Sequence, residues 1–335
     1  MLWTTGSTGH IRVADTPVSA SGVVGHPVTI ASNVSSATDP DATVTSAGLA
    51  AFWDEVKTSA PSSPIGIFEA TRPSRGGTWH LAGVTTTPFD WLSSVAAAPG
   101  TNGAPWVDYE DSAGIAVHHA GFGVAQLSFS ACCVIDEGIG TDSATGTTWA
   151  TYLSEMPKHS GLFAQRLTAA GKRSGSPVLL PGSGIAGSPL ATEQRVTATG
   201  LPGHRPGGYV VYRTGGNGLA HHLDLYRLGA RSAVSLASFT LTDDIGGSTL
   251  AADPSGRLWV AWFRVIDNQP VLFVRRAKAG ASDFGQAEKV PVPNGTAAIT
   301  KVYINAQARR LDVVALLTRH GKTAYWTTQV LPPKQ

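Results

Sequence analysis

The chain of 335 residues is 42% hydrophobic and only 14% charged, and it contains 38 glycines and 21 prolines. This composition excludes disorder over most of the length and favours a folded core with many turns. The 25 basic and 23 acidic residues give a formal net charge of +2 and are spread along the sequence, so neither nucleic-acid binding nor attraction to an anionic membrane is predicted.

Neither a transmembrane helix nor a signal peptide is predicted from the sequence. No apolar run approaches the roughly 18 to 20 residues of a transmembrane helix. The N-terminus also lacks the basic and then apolar pattern of a signal peptide. The chain is therefore either a cytoplasmic protein or a mature or excised part of an extracellular or cell-surface protein with an added initiator methionine. The low lysine content and the abundance of Ser, Thr, Gly and Ala favour the second interpretation.

Predicted strands recur in sets of four along the whole chain. Segments with the apolar and aromatic pattern of a second strand begin, in chain order, at Leu2, Leu49, Pro105, Thr148, Gly208, Leu258 and Leu311. They start about 43 to 60 residues apart, which is the size of a propeller blade. A third strand is predicted after each of the seven, and a fourth after the first six, whereas the opening set lacks a first strand.

The clearest copy of this unit spans Ala251–Pro293. Its second strand, LWVAWF, is apolar at every position and needs burial on both faces. A turn, IDNQ, leads to a third strand, PVLFVRR. The fourth strand, EKVPVP, contains prolines that suit only the edge of a sheet.

The strand count predicts the number of blades. Six first, seven second, seven third and six fourth strands make 26, whereas seven blades of four would need 28 and six would need 24. We therefore predict an all-β, seven-bladed β-propeller closed through its termini, in a single domain over residues 1–335. A six-bladed ring with an irregular pair of strands is the alternative, because the spacing around Arg195 to Gly208 is loose.

One loop between a predicted third and fourth strand carries a recognisable motif. GIFEATRPSRGGTW at Gly66–Trp79, together with Gly161–Leu180, resembles the repeats of the sialidase-like, BNR-repeat propellers. Those repeats carry Ser-x-Asp-x-Gly-x-Thr-Trp at this place. The glycine, threonine and tryptophan are present here, as Gly76, Thr78 and Trp79. Arg72 and Ser74 replace the serine and the aspartate. The resemblance implies a propeller architecture, and the family's Phe-Arg-Ile-Pro-type opening motif is absent.

Acidic residues recur where predicted first strands begin. They are Asp41, Asp90, Asp136, Glu137, Glu193, Asp243 and Asp244. In a propeller these segments gather on one face around the central channel, which is the default binding face. Carboxylates there could bind sugar hydroxyls, hold a structural cation such as calcium, or supply an acid/base pair. The alternative is that aspartate is common in turns because its side chain hydrogen-bonds the following backbone.

These acids and their neighbours supply the predicted site residues. The candidates for catalysis are Asp90, Asp136, Glu137 and Asp243. The candidates for ligand binding are Asp41, Trp91, Cys132, Cys133, Asp136, Glu193, Arg195 and Asp244. Trp91 is adjacent to Asp90 and is predicted to stack on a sugar. No cofactor is predicted apart from the cation.

Cys132 and Cys133 are the only cysteines and are adjacent. Because neither has a distant partner, they cannot staple a long loop. In an oxidising compartment we predict a strained disulfide between them that presents a stiff apolar plate near the funnel. The alternative is a pair of reduced, buried thiols.

Two histidine pairs occupy similar positions on predicted third strands, His118 and His119 in one and His221 and His222 in the other. Neighbouring side chains in a strand face opposite ways, so one pair cannot chelate a metal ion alone. We expect one imidazole of each pair to pack between blades and the other to meet solvent. The second-strand aromatics are expected to fill the space between blades.

Three functions remain open, because the fold does not determine the activity. The first is an extracellular or surface-exposed recognition propeller of bacterial type that binds a glycan or a protein on its funnel face. The second is a glycoside hydrolase or polysaccharide lyase that uses two funnel carboxylates. The third is a structural interaction domain of a longer surface protein. No complete catalytic constellation is visible, which favours the non-enzymatic binding function.

Overall fold

The protein is built from β-strands. The computed structural model describes residues 2–6, 10–19, 23–34, 40–56, 65–73, 77–86, 95–100, 103–111, 114–120, 123–127, 134–142, 145–156, 159–184, 199–200, 208–216, 219–228, 230, 232–238, 245–278 and 283–331. These residues contain 26 strands. They include no helix that is long and apolar enough to cross a membrane.

The strands form seven antiparallel sheets, numbered here as blades 1 to 7 in chain order. Blades 1 to 3 contain β1 (Leu2–Thr5), β2 (Ile11–Asp15), β3 (Val28–Val34), β4 (Asp41–Thr45), β5 (Gly48–Val56), β6 (Ile65–Arg72), β7 (His80–Thr86), β8 (Val95–Ala98), β9 (Trp106–Asp111), β10 (Gly114–His119) and β11 (Gly123–Gln126). Blade 4 contains β12 (Val134–Thr141), β13 (Thr148–Met156), β14 (His159–Leu167) and β15 (Val178–Leu179).

Blades 5 to 7 follow in the second half of the chain. They contain β16 (Thr199–Gly200), β17 (Gly208–Gly216), β18 (Leu219–Arg227), β19 (Val234–Ser238), β20 (Ile245–Ala252), β21 (Leu258–Ile266), β22 (Gln269–Arg276), β23 (Glu288–Val290), β24 (Thr296–Gln307), β25 (Arg310–Arg319) and β26 (Lys322–Val330). The prediction of seven blades is confirmed, and the six-bladed alternative is wrong. Blade 1 lacks a first strand and blade 7 lacks a fourth among the described residues, as predicted.

The chain divides into two compact units. Unit 1 is Met1–Thr141, Thr148–Pro157 and Gln165–Pro177, and it holds blades 1 to 3. Unit 2 is Asp142–Thr147, Lys158–Ala164 and Val178–Gln335, and it holds blades 5 to 7. Blade 4 contributes residues to both units.

In unit 1, strand β5 fills two layers of core because successive side chains point to opposite faces. Ala51 and Trp53 pack against blade 1, where they meet Val13 and Ile30. Phe52, on the other face, packs against blade 3 together with Ala50, Val107 and Tyr109. The run LAAFW is therefore buried on both faces.

Strand β21 in unit 2 also packs both of its faces against neighbouring blades. Leu258, Val260 and Trp262 pack against blade 5, and Trp259, Ala261 and Phe263 pack against blade 7. All six side chains are buried. The prediction that LWVAWF is covered on both faces is confirmed.

One position of the second strand repeatedly holds a large ring that faces the preceding blade. Trp53, Tyr109 and Trp262 occupy it in blades 2, 3 and 6. Across the ladder, the partners on the third strands are Phe68, Ala116 and Phe273. Blade 7 reverses the pair, with Ala315 on the second strand and Trp326 on the third. In blade 5 the pair is Tyr212 and Asp224, so a carboxylate replaces an apolar side chain.

A buried aspartate organises the turn between β20 and β21. One oxygen of Asp253 accepts hydrogen bonds from the amide of Ser255 at 2.9 Å, the hydroxyl of Ser255 at 2.5 Å and the amide of Arg257 at 3.0 Å. The other oxygen forms an ion pair with Arg276 at 2.8 Å. The Arg276 guanidinium lies 5.0 Å from the centre of the Trp259 ring. This carboxylate therefore joins the turn to strand β22.

Candidate functional site

Most of the predicted site residues lie outside the described part of the chain. These are Asp90, Trp91, Cys132, Cys133, Glu193, Arg195, Asp243 and Asp244. Their roles, the disulfide among them, stay predictions.

Asp41 lies at the start of β4, and both of its carboxylate oxygens accept backbone hydrogen bonds. Oδ1 accepts from the amide of Ala42 at 2.8 Å. Oδ2 accepts from the amide of Ala97 in β8 at 3.0 Å, which ties the first strands of blades 2 and 3 together. This contact gives Asp41 a structural role, and ligand binding by Asp41 stays a prediction.

Asp136 and Glu137 lie within β12 at a β-bulge. Ile135 pairs with Leu153 and Gly138 pairs with Thr151, so the two acids stand opposite one residue of β13. Bulges bend a strand and redirect side chains, and they are frequent beside functional sites. The catalytic and binding roles of these two acids stay predictions.

The polar residues that do converge lie on one face of blade 5. His222 and Asp224 are two residues apart on β18 and therefore share a face. Thr214 pairs with His222 and Tyr212 with Asp224 across β17. Ser238 and Ser235 pair with the same two residues across β19. We call His222, Asp224, Ser235 and Ser238 the blade-5 polar row, because these four are partly or fully exposed.

Hydrogen bonds hold this row in place. The hydroxyl of Thr214 donates to Asp224 at 3.4 Å, and a hydrogen bond of 2.9 Å joins Ser238 Oγ and His222 Nδ1. Beside Asp224 across the ladder, the buried Tyr212 hydroxyl donates to the carbonyl of Pro181 at 2.7 Å. The Tyr212 hydroxyl therefore has a hydrogen-bond partner within the protein.

Burial dominates the electrostatics of the site. It raises the pKa of the Asp224 carboxyl, although the nearby His222 and hydrogen bonds from Thr214 and Ser235 act in the opposite direction. Burial also raises the pKa of Tyr212, and the proximity of Asp224 and Tyr226 raises it further. Asp224 therefore takes up a proton more readily than an ordinary aspartate.

The chemistry of the row suits hydrogen bonding to a polyhydroxylated ligand. The carboxylate accepts hydrogen bonds, while imidazole and serine hydroxyls both donate and accept. The hydrogen bond between Ser238 and His222 joins a hydroxyl to an imidazole, as in enzymes where histidine activates a serine nucleophile. Within the described residues, however, Asp224 makes its side-chain hydrogen bonds with Thr214 and Ser235 and none with the His222 ring. A Ser-His-Asp triad would need that bond.

Asp224 was not among the predicted site residues, although the sequence contains a signal for it. In LAHHLDLYR the polar residues His222 and Asp224 alternate with the buried Leu223 and Leu225. Alternation of this kind marks a strand with one polar face. The sequence analysis searched for acids at the starts of first strands, and this one lies in the middle of a third strand.

The difference in burial expected within each histidine pair is observed, and packing of the buried imidazoles between blades stays a prediction. His119 and His221 are buried, and His118 and His222 are partly exposed. The His119 ring stacks on Trp106 in blade 3, with centroids 3.9 Å apart and planes 5° apart. Within the described residues no three His, Cys, Asp or Glu side chains form a group that could hold a metal ion.

We predict that acid weakens unit 1 through His119. Burial lowers its pKa below the usual 6.5, despite a backbone hydrogen bond with Ala169 that raises it. The folded protein therefore keeps this ring neutral, whereas the unfolded chain binds a proton as the pH falls through 6.5. The contribution of His119 to the free energy of unfolding should be fully present above pH 6.5. Below pH 6.5 the free energy of unfolding should decrease, by at most about 1.4 kcal/mol per pH unit for one proton.

The measurement is the free energy of unfolding by urea between pH 7.5 and 5.5. His119→Phe keeps a ring against Trp106 but cannot titrate, so its pH dependence should be flatter than that of the unmodified protein. His80→Phe, at an exposed position, is the control and should leave the slope unchanged. Equal slopes for the unmodified protein and His119→Phe would contradict the prediction.

At their low sequence identities, the known structures that match this chain show its fold alone. No family model and no curated protein matches the chain. Solved structures that match it define the class as a β-propeller. One is the fucose-recognising lectin of the fungus Aleuria aurantia, described as a six-bladed propeller. It is 12% identical with a TM-score of 0.50, over 86% of this chain and 90% of the lectin. Another is BBS1N, solved in complex with ARL6DN. It is 10% identical with a TM-score of 0.50, over 100% of this chain and 92% of that one.

Proposed function

We propose that this protein is a non-enzymatic recognition propeller that binds a glycan at the blade-5 polar row. The observation that carries the proposal is Asp224. At this position of the third strand, blades 2, 3, 6 and 7 place Phe68, Ala116, Phe273 and Trp326. A partly buried carboxylate costs stability in such a layer, and its hydrogen bonds with Thr214 and Ser235 offset only part of that cost. Departures from a consistent pattern of this kind concentrate at functional sites.

The neighbours of Asp224 support a sugar as the ligand. A carboxylate between an imidazole and two serine hydroxyls offers paired donors and acceptors, which is what adjacent sugar hydroxyls require. Hydrogen bonds from Thr214 and Ser235 hold the carboxylate and lower the cost of ordering it on binding. The fold itself is used for sugar recognition by the Aleuria aurantia lectin, which is described as fucose-specific.

The incomplete triad favours binding over hydrolysis at this row. The glycosidase alternative rests on Asp90, Asp136, Glu137 and Asp243 and is tested separately by a broad glycosidase and lyase screen. Turnover that disappears in Asp136→Asn would establish that alternative. We further propose an extracellular or cell-surface location, which the low lysine content supports.

The test of the glycan site is a glycan array followed by titration of the best ligand. Asp224→Asn keeps the shape of the side chain and removes its charge. Affinity should fall at least tenfold, because a hydrogen bond to a charged group contributes about 1.5 to 3 kcal/mol. Ser238→Ala should weaken binding less, since His222 loses its partner but remains in place. Asp283→Asn is the matched control at an exposed ion pair with Lys278 and should bind normally. Normal binding by Asp224→Asn would exclude this site.

A further inference from the structure

Blade 7 has an outer edge unlike that of the other blades. Blades 1 to 6 each place a fourth strand against the third, and these fourth strands are β3, β7, β11, β15, β19 and β23. In the described part of the chain, β26 pairs with β25 alone, through nine consecutive pairs. The third strand of blade 7 is therefore the edge of its sheet.

The residues of this edge are less buried than those of the other third strands. The third strand of every other blade contains at least three buried residues among those described. None of the nine residues of β26 is buried, although the strand includes Trp326 and Val330. Both side chains are packed only in part against the core shared by blades 6 and 7. The outer side of blade 7 is thus less covered than that of the other blades.

Strand β26 itself contains few of the features that prevent strand pairing. Natural edges carry prolines, bulges or inward charges. Prolines stand beside several edges of this protein, at Pro291 and Pro293 after β23, at Pro177 and Pro181 around β15, and at Pro332 and Pro333 after β26. β26 (KTAYWTTQV) has no proline, its register against β25 has no bulge, and its single charge is Lys322 at its start.

We propose that β26 binds an extended segment of another polypeptide, which adds to blade 7 as an antiparallel fourth strand. Backbone hydrogen bonds would give affinity, and side-chain pockets would give selectivity. The fourth strands of blades 1 to 6 indicate the length and composition that the added segment should have. Their fourth strands are two to seven residues long. Each fourth strand also carries a buried apolar residue on it or directly beside it, namely Ile30, Trp79, Leu127, Leu180, Leu236 and Val290.

The register follows from blade 6. Leu272, Phe273 and Val274 pair there with Val290, Lys289 and Glu288 of the fourth strand. Trp326 occupies the same place as Phe273, because it faces Ala315 as Phe273 faces Trp262. The added strand should therefore centre on Trp326. A single extended segment is the partner that fits, because each of the other blades adds one strand beyond its third.

The first experiment adds a fourth strand to blade 7 within the same chain. Residues 332–335 are replaced by a copy of residues 228–238, which is the blade-5 connection with its fourth strand. We expect hydrogen exchange at alternate β26 amides to slow at least tenfold and the melting temperature to rise by about 2 to 4 °C. The control carries proline at the copied positions of Ser235 and Ala237 and should show neither effect. Exchange that is already slow in the unextended chain, with no gain on extension, would overturn the proposal.

The second experiment tests the separate partner with a synthetic peptide of residues 232–238. Only every other amide of an added strand faces its neighbour, so N-methylation at one set of alternate residues should abolish binding and at the other set should not. If the peptide does not bind at about 1 mM, the effective concentration of a short linker, the proposal that a separate polypeptide binds β26 is wrong. The proposal is also wrong if analytical ultracentrifugation shows a dimer that dissociates when the strand is appended, because a second copy of the chain would then occupy the edge. Neither result bears on the blade-5 polar row.

Discussion

Asp253→Ala should lower the free energy of unfolding by about 3 to 5 kcal/mol, which is the range for removing one partner of a buried ion pair. Asp253 is 0% exposed, and its two oxygens satisfy the turn and Arg276 together. Without the carboxylate, the Arg276 guanidinium stays against Trp259 with no countercharge, and the turn loses three hydrogen bonds. Urea denaturation at pH 7 measures the change.

A matched aspartate serves as the control for this prediction. Asp283 also pairs with a cation, Lys278, at 2.5 Å, but both side chains are largely exposed. Solvent screens such a pair, so Asp283→Ala should leave the unfolding curve unchanged. Equal effects of the two substitutions would show that the Asp253 cluster has no special role in stability.

Trp262→Ala should cost about 3 to 5 kcal/mol of unfolding free energy, the usual price of truncating a fully buried aromatic residue. The Trp262 ring is 1% exposed and packs between blades 5 and 6. It stacks on Phe273 with centroids 5.4 Å apart. The truncated side chain would leave a cavity between two sheets that cannot close without moving a blade.

Two further variants sharpen this measurement. Trp262→Phe keeps a ring beside Phe273 and should lose less stability than the alanine variant. Val265→Ala lies on the same strand at a position that is 57% exposed and should change stability by about 0.5 kcal/mol or less. A loss of less than about 1.5 kcal/mol for Trp262→Ala would contradict the view that this ring holds the two blades together.

The sequence predicted the blade architecture because strand periodicity is a local property. The run LWVAWF and its flanking turns identify a doubly buried strand without reference to any other part of the chain. The same count predicted that, among the residues that the structure describes, blade 1 would have no first strand and blade 7 no fourth.

The blade-5 polar row could not be predicted in the same way. The row is identified by comparing blades 5 and 6. Asp224 pairs with Tyr212 in blade 5, whereas Phe273 pairs with Trp262 at the same place in blade 6. That knowledge needs the register between strands, which one sequence does not contain. For Asp41 the structure adds a role that the sequence does not contain, because its carboxylate accepts hydrogen bonds from two backbone amides, and ligand binding by Asp41 stays a prediction.

The facing positions on second and third strands share one space. Trp53 with Phe68, Tyr109 with Ala116, and Ala315 with Trp326 fill it with different residues, and in the last pair the large ring has changed strands. Selection should therefore act on the combined volume of two side chains rather than on either residue. Ala315→Trp alone should overfill the space, and adding Trp326→Ala should restore it, so the two substitutions should show strong epistasis. Repeats that diverge in this coupled manner lose similarity at each single position while their packing persists.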